Sequence, residues 1–356
     1  MKREATRRNI PVLRSVRWTM KKIQAMEPWQ RSSLATDHIG YRLSLMRGQL
    51  PARPSTLWIE VTNRCNLHCL MCDRDSLTRP QADIEWSMFE KIADEAIKLG
   101  VRRIKLNRYG ECLMHPKIHE MTKYLKSRGV PWVFFVSNGT LMNEDRRKAI
   151  VDSGLDLLVV SIDGYTAETY ETIRRGARLD KVRTNVEELI RLRNESGKKR
   201  PLVQINTVLM QDNADEVPDL IRYWEDRADL VSVRSYGVTG TLGDRSVLAE
   251  EHFDNELSPC HFIYSSMLTF VNGDVTICCA DFNGALVIGN VTKQSLADMW
   301  RGAAYEKIRE LMKGGRFNEL PPICRTCLAA QKNKLKALNR QNHEMYRAAA
   351  ARRAHS

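Results

Sequence analysis

The chain has 356 residues, 43% of them hydrophobic, enough for a sizeable core divided between one large domain and one smaller one. No run approaches the roughly 18 to 20 consecutive apolar residues of a membrane span, and the N-terminus MKREATRRNIPVLRSVRW lacks the apolar stretch of a signal peptide, so a cytoplasmic protein is expected. The net charge of +13 sits at the ends: residues 1–50 hold 11 Lys/Arg against three Asp/Glu and residues 331–356 hold seven against one, so the body is near neutral and no specific nucleic-acid surface is expected on it.

In chain order, Val12, Leu13, Val16, Met20 and Ile23 fall at helical spacing among Arg14, Arg17, Lys21 and Lys22. They predict a basic amphipathic helix over residues 10–26, which either packs on the body or meets a membrane surface or an acidic partner. From Ser55, short apolar runs alternate with longer charged periodic segments. Strands are predicted at Leu57–Val61, Arg103–Leu106, Trp132–Val136, Leu157–Ile162, Leu202–Leu209 and Leu230–Ser235. Helices are predicted at Met88–Leu99, Lys117–Arg128, Glu144–Ser153, Ala167–Ile173 and Leu179–Asn194. This alternation implies right-handed βαβ units in an α/β fold, a parallel sheet whose ligands gather at the carboxyl ends of the strands, and a partial (β/α)6 barrel in preference to a closed eight-fold one.

Beyond about Asn255 the helical alternation stops. Met267–Val271 and Val275–Ile277, joined by Asn272-Gly273-Asp274, read as a hairpin, and one helix is expected from Ser295 to Lys313. The expected organisation is a basic extension (1–54), a core (55–250), a small α+β segment (251–330) and a basic tail (331–356).

The nine cysteines are an odd number in tight clusters, which is no secreted disulfide framework and points to metals or catalysis. Cys65, Cys69 and Cys72 follow the first strand in a C-x3-C-x2-C arrangement. A four-iron cluster bound through cysteine needs four thiolates to be closed, so three leave one iron open to an external ligand. A structural zinc site is the rival, but C-x3-C lacks the usual paired spacing, and His68 has no second His to complete a set.

This spacing resembles the signature of the radical S-adenosylmethionine (SAM) superfamily, and the resemblance extends over about residues 55–245. It implies a [4Fe–4S] cluster whose free iron binds the amino and carboxylate groups of SAM, and a 5′-deoxyadenosyl radical that abstracts hydrogen from substrate. Tyr109-Gly110-Glu111-Cys112-Leu113-Met114-His115-Pro116 is similar to the family's G-G-E-P segment, with Tyr109 and Cys112 in place of Gly and Pro. The resemblance gives Gly110 and Glu111 to the SAM amino group, and an acidic side chain facing an ammonium gains strength in a partly dry pocket. By the same resemblance Asn138 in Ser137-Asn138-Gly139-Thr140 touches the SAM ribose or carboxylate, Ser161 in Ser161-Ile162-Asp163-Gly164 contacts SAM, and Arg174 pairs with its carboxylate.

Cys260, Gly273 and Cys278 form C-x12-G-x4-C, followed later by Cys324-Arg325-Thr326-Cys327. This resembles the SPASM/twitch extensions of the same superfamily, and with four suitable thiolates it implies one fully ligated auxiliary [4Fe–4S] cluster of the twitch type; a zinc ribbon is the rival. Cys112 and Cys279 remain unassigned, either as small buried residues, with Cys279 competing with Cys278 for iron, or as a hydrogen donor to a substrate radical.

The function expected from the resemblance is a radical SAM oxidoreductase of the dehydrogenase type acting on a sugar, aminocyclitol or similar hydroxylated molecule, with the auxiliary cluster taking an electron and a flavodoxin or ferredoxin as electron donor. An epimerase using a cysteine hydrogen donor and a maturase of ribosomal peptides are alternatives within the family. A non-catalytic iron–sulfur or zinc protein binding nucleic acid through its basic ends is the alternative outside it. The proton-accepting base is open, with Arg234 and Tyr236 as candidates.

Overall fold

The computed structural model describes residues 39–40, 43–44, 49–235, 260 and 262–325; the predicted helix over 10–26, Tyr236, Cys327 and the basic tail lie outside them. Six strands run parallel: β1 (Thr56–Ile59), β2 (Arg103–Lys105), β3 (Trp132–Ser137), β4 (Leu157–Ser161), β5 (Leu202–Leu209) and β6 (Leu230–Ser235). Between them lie α1 (Trp86–Leu99), α2 (Ile118–Ser127), α3 (Glu144–Asp152), α4 (Ala167–Ile173), α5 (Leu179–Glu195) and α6 (Val217–Glu225). This is the expected partial barrel of βαβ units.

Local chemistry sets the elements. α1 buries Phe89, Ile92, Ala93 and Ala96 along one face and stops at Gly100, whose φ of 79° places it in the left-handed region. It begins two residues before the predicted Met88 because Trp86 packs edge-on against Tyr124 and tilted on Phe89. α3 begins where the Asn143 side chain accepts a hydrogen bond from the Arg146 N–H, with Glu144 and Asp145 in the first turn. α6 was not among the predicted helices, although Val217, Leu220, Ile221 and Trp224 sit at helical spacing and are buried.

The C-terminal segment does not form a separate sheet. β7 (Ser266–Thr269) pairs in parallel with β1, with Leu57 opposite Met267, and β8 (Asp274–Thr276) and β9 (Val287–Asn290) follow antiparallel. One nine-stranded sheet results, in the order β9-β8-β7-β1-β2-β3-β4-β5-β6. β9 and the β7–β1 pairing were not predicted. The single helix expected over 295–313 is two, α7 (Leu296–Arg301) and α8 (Ala303–Lys313), broken at Gly302, whose ψ of 154° is extended. The break directs Trp300 to donate its indole N–H to Pro51 O (2.8 Å) while Tyr305 donates its hydroxyl to Ser266 O (2.8 Å), fastening the segment to the body.

The sheet has two unlike faces, as alternation along each strand requires. Leu57, Ile59, Ile104, Val133, Phe135, Leu158, Val160, Val203 and Ile205 join the helices in the main core. Trp132, Leu157, Val159, Leu202 and Leu230 form a second, smaller apolar group with Phe134 and Val136. That group lines the floor of the concave face, the barrel lumen.

Candidate active site

The loop after β1 carries Cys65 and Cys69, both half-buried, and the exposed Cys72. Hydrogen bonds and ion pairs of its own residues shape it. Asn63 donates to Pro80 O and accepts from Ala82 N (both 2.8 Å), Arg64 pairs with Asp83, and Arg74 donates to Cys65 O and to Leu67 O (3.2 Å). His68–Cys69 forms a short antiparallel ladder with Arg174–Arg175, and Leu70 N donates to Ile173 O (2.8 Å). Cys72 stands within electrostatic reach of Cys69 and Cys65. Burial raises the Cys65 and Cys69 thiols, so they are protonated until a cation offsets the loss of water. No group of three His, Cys, Asp or Glu among the described residues converges around a single ion. The thiolates of a four-iron cluster sit on separate irons and require a wider spacing, so a loop of three mutually influencing thiols with no neighbouring fourth ligand fits an open cluster.

The turn after β2 lies against this loop. A Cβ on Gly110 would fall 2.5 Å from both Thr62 O and Arg64 O, and Glu111 N donates to Arg64 O (2.8 Å), so only glycine permits the approach. Glu111 is buried and its carboxylate is fully oriented: Oε1 accepts from Ser137 Oγ (2.8 Å) and Leu113 N (3.1 Å), and Oε2 accepts from Asn138 N (2.6 Å). Burial raises its carboxyl despite these donors. Asn138 in turn donates to Asn66 Oδ1 (2.9 Å) inside the cysteine loop and accepts from Thr140. Gly110, Glu111 and Asn138 therefore meet at the cysteine loop.

Ser161 ends β4, and Asp163 two residues on accepts from Arg174 Nε (2.7 Å) and Nη2 (2.6 Å) and from Val208 N (2.7 Å). Arg174 Nη1 reaches Cys69 Sγ at 3.7 Å. The guanidinium is buried, which opposes its charge, but the Asp163 carboxylate outweighs that and holds it firmly protonated. Arg174 thus stands beside the first thiol site as an ion pair with Asp163, a partner the sequence reading had not assigned.

Of the second cysteine set, Cys278 follows the β7–β8 hairpin. Gly273, at φ 84°, makes its turn. Cys260 and Cys278 both act on the buried Tyr305, and Cys324 is buried in the core turn Pro322–Arg325. Cys278 Sγ accepts from Ala280 N (3.3 Å), as a ligating sulfur does. Asp281 organises the loop by accepting from Thr276 Oγ1 and from the Gly284, Ala285 and Leu286 N–H groups. Cys112 has no exposed surface and donates to Val136 O (3.3 Å), whereas Cys279 is half-buried.

The two sites are joined directly. Arg108 Nη2 donates to Cys278 O and Asp281 O (both 2.6 Å), the Tyr109 ring stacks on Phe282 with centroids 3.7 Å apart, and its hydroxyl donates to Cys279 O (2.5 Å). The Tyr that departs from the family's Gly is thus a strut to the second loop.

Residues 59–223 match the radical SAM superfamily and residues 260–328 match the iron–sulfur cluster-binding SPASM domain, one on each thiol site just described. The chain belongs to the radical SAM superfamily. This radical SAM protein is 26% identical over 322 residues, 76% of its length and 86% of the other's, to the tungsten-containing aldehyde ferredoxin oxidoreductase cofactor-modifying protein of Pyrococcus furiosus. Its fold is similar to that of SuiB from Streptococcus suis bound to S-adenosylmethionine (TM-score 0.60, 18% identity, 80% of this chain and 74% of that one). It is also similar to that of BtrN in complex with AdoMet and 2-DOIA (TM-score 0.52, 18% identity, 77% of this chain and 92% of that one). Its cofactors are accordingly SAM, the radical SAM [4Fe–4S] cluster and the auxiliary iron–sulfur of the SPASM domain. No helix among the described residues is long and apolar enough to cross a membrane.

Sequence reading missed Lys105, Arg108, Asp163 and Asp281 as site residues. Arg103-Ile104-Lys105-Leu106 carries a signal for the first: polar residues alternate with apolar ones, which places Arg103 and Lys105 on one face of the strand and the buried Ile104 on the other.

Proposed function

We propose that this radical SAM protein is an oxidoreductase of the dehydrogenase type acting on a hydroxylated small molecule of the sugar or aminocyclitol class. Cys65, Cys69 and Cys72 hold the SAM-binding cluster, and Cys260, Cys278, Cys324 and Cys327 hold a single auxiliary cluster. Gly110, Glu111, Asn138, Ser161 and Arg174 form the SAM cradle around the first site. When bound, these groups would supply a hydrogen-abstracting radical and an electron acceptor. The observation that carries the reading is the Arg108–Tyr109 strut, which holds the Cys278–Phe282 loop against the turn bearing Gly110 and Glu111.

The chain's own part is to fix distances. The parallel pairing of β7 with β1 makes the second site a continuation of the barrel wall. The apolar floor of Trp132, Leu157, Leu202 and Leu230 keeps the bottom of the lumen dry, which limits quenching of a radical by solvent. The residue divisions 55–250 and 251–330, a flavodoxin or ferredoxin as reductant, and an acidic or membrane partner for the basic ends belong to the same proposal. The bound 2-DOIA of BtrN supports the substrate class; the name of the Pyrococcus protein, a cofactor-modifying one, and the precursor peptide SuiA bound to SuiB point to other substrates.

Anaerobic reconstitution tests it. About eight irons per chain and release of 5′-deoxyadenosine from SAM under reduction are expected, with loss of two hydrogens from the substrate; about four irons, or no SAM cleavage with any candidate substrate, overturns it. One observation favours a second reading: Cys279 is an electrostatic neighbour of Lys105, which points into the lumen, so an epimerase donating hydrogen from Cys279 predicts solvent deuterium incorporation without oxidation.

A further inference from the structure

Among the described residues each buried charge is met by an ion pair or, for Glu111 and Asp281, by several hydrogen-bond donors, with one group excepted. Glu60 is held by Arg79, Asp156 by Lys126 and Arg200, Asp163 by Arg174, and Asp229 by Arg193. The exception is cationic and lies on the lumen side. Trp58, Lys105 and Phe134 stand in register across β1, β2 and β3, which puts Lys105 on the concave face, with its Nζ 3.7 Å above the Trp58 ring. On the opposite wall Arg234 projects from the same face of β6 as Leu230 and donates to Asn206 Oδ1 (3.1 Å).

Lys105 has as its electrostatic neighbours Cys279, Arg234, Cys112 and Arg108: two cations and no carboxylate. Arg108, 8% exposed, spends Nη2 on the second loop's carbonyls and leaves Nε and Nη1 with no hydrogen-bond partner. No carboxylate among the described residues pairs with any of the three. Gathering cations without a counter-ion is unfavourable unless an anion completes the site. Partial burial, with Arg234 and Arg108 adding to it, pulls Lys105 down to about 7, a penalty that a bound anion reverses.

We infer that Lys105 and Arg234, with Arg108 behind them, form a subsite for a phosphate-class dianion carried by the small-molecule substrate. A single carboxylate would leave the group of three cations with excess positive charge, whereas a phosphate monoester carries close to two negative charges at neutral pH and accepts both a lysine point charge and an arginine fork. The inference rests on reading the lumen as the substrate chamber.

The test is calorimetric titration of the anaerobically reconstituted full chain with inorganic phosphate. Saturable binding is expected, weakened roughly tenfold or more in Lys105→Met and in Arg234→Gln. Lys105→Arg, which keeps the charge, restores most of it, and Arg191→Gln, on a surface arginine already paired with Glu188 and Glu195, binds as wild type. Arg234 is exposed, so its variant folds even if Lys105→Met does not. Absence of saturable binding to the wild type, binding that persists unchanged in Arg234→Gln, or acetate binding as tightly as phosphate overturns the inference. SAM cleavage in the same preparations is read separately, so a failure of the enzyme reading is distinguished from a failure of the phosphate subsite.

Discussion

Arg174 places its Nη1 3.7 Å from Cys69 Sγ while Asp163 grips its Nε and Nη2, so the charge beside the first thiol site is set by a residue in the turn before the helix that delivers the arginine. The pair is buried, and breaking it leaves an uncompensated charge. Asp163→Asn, which retains an acceptor for Val208 N, is expected to lose about 3–5 kcal/mol of stability, measured by denaturant unfolding of the apo chain. A loss below about 1 kcal/mol would show that the pair is solvated.

Gly110→Ala puts a methyl where two backbone oxygens stand 2.5 Å away, and neither can rotate aside as a side chain would. The turn must lift off the cysteine loop, at about 1–3 kcal/mol for the overpacking alone. SAM binding measured by titration calorimetry is expected to fall at least tenfold, while far-ultraviolet circular dichroism stays as in the wild type.

His119 supplies a pH dependence remote from both thiol sites. Burial, with Arg146 and Lys123 adding to it, lowers its imidazole to about 4, and Nδ1 has no hydrogen-bond partner. The folded value lies below the unfolded one near 6.5, so between pH 6.5 and 4 the unfolded chain binds more protons, and stability falls as pH falls through that window. The slope from one such group is at most about 1.4 kcal/mol per pH unit. His119→Gln is expected to flatten the acid arm of the apparent melting temperature between pH 6.5 and 4.5 and to leave it unchanged above pH 7.

The parallel core was legible because each strand carries its own signal. Leu202–Leu209 carries Leu202, Val203, Ile205, Val208 and Leu209 around three polar residues, and it forms β5 with the bounds as read, its residues Gln204 to Leu209 pairing with β6. Cys65, Cys69, Cys72, Gly110 and Asn138 were legible through spacing, and they do converge on one loop. What escaped depends on distant partners. Nothing local to Ser266–Thr269 says that it joins β1 across some 200 residues, and Gly302 interrupts a good helical period only because Trp300 must reach Pro51. Tyr109 reads as a blemish in a motif until Phe282 is seen stacked on it.

The choice between adjacent cysteines in the second set turns on backbone direction. Cys278 Sγ accepts an N–H from Ala280, the bond that steadies a thiolate, while its carbonyl and that of Asp281 are held by Arg108. Cys279 turns the other way, its carbonyl bound by Tyr109 and its thiol acting on Lys105 in the lumen. Cys278→Ala is therefore expected to lower reconstituted iron by about four per chain and to leave the first cluster's SAM-dependent spectroscopic change intact. Cys279→Ala is expected to keep the full iron content. Loss of iron in Cys279→Ala with retention in Cys278→Ala would reverse the ligand assignment, and with it the direction in which the auxiliary site faces the lumen.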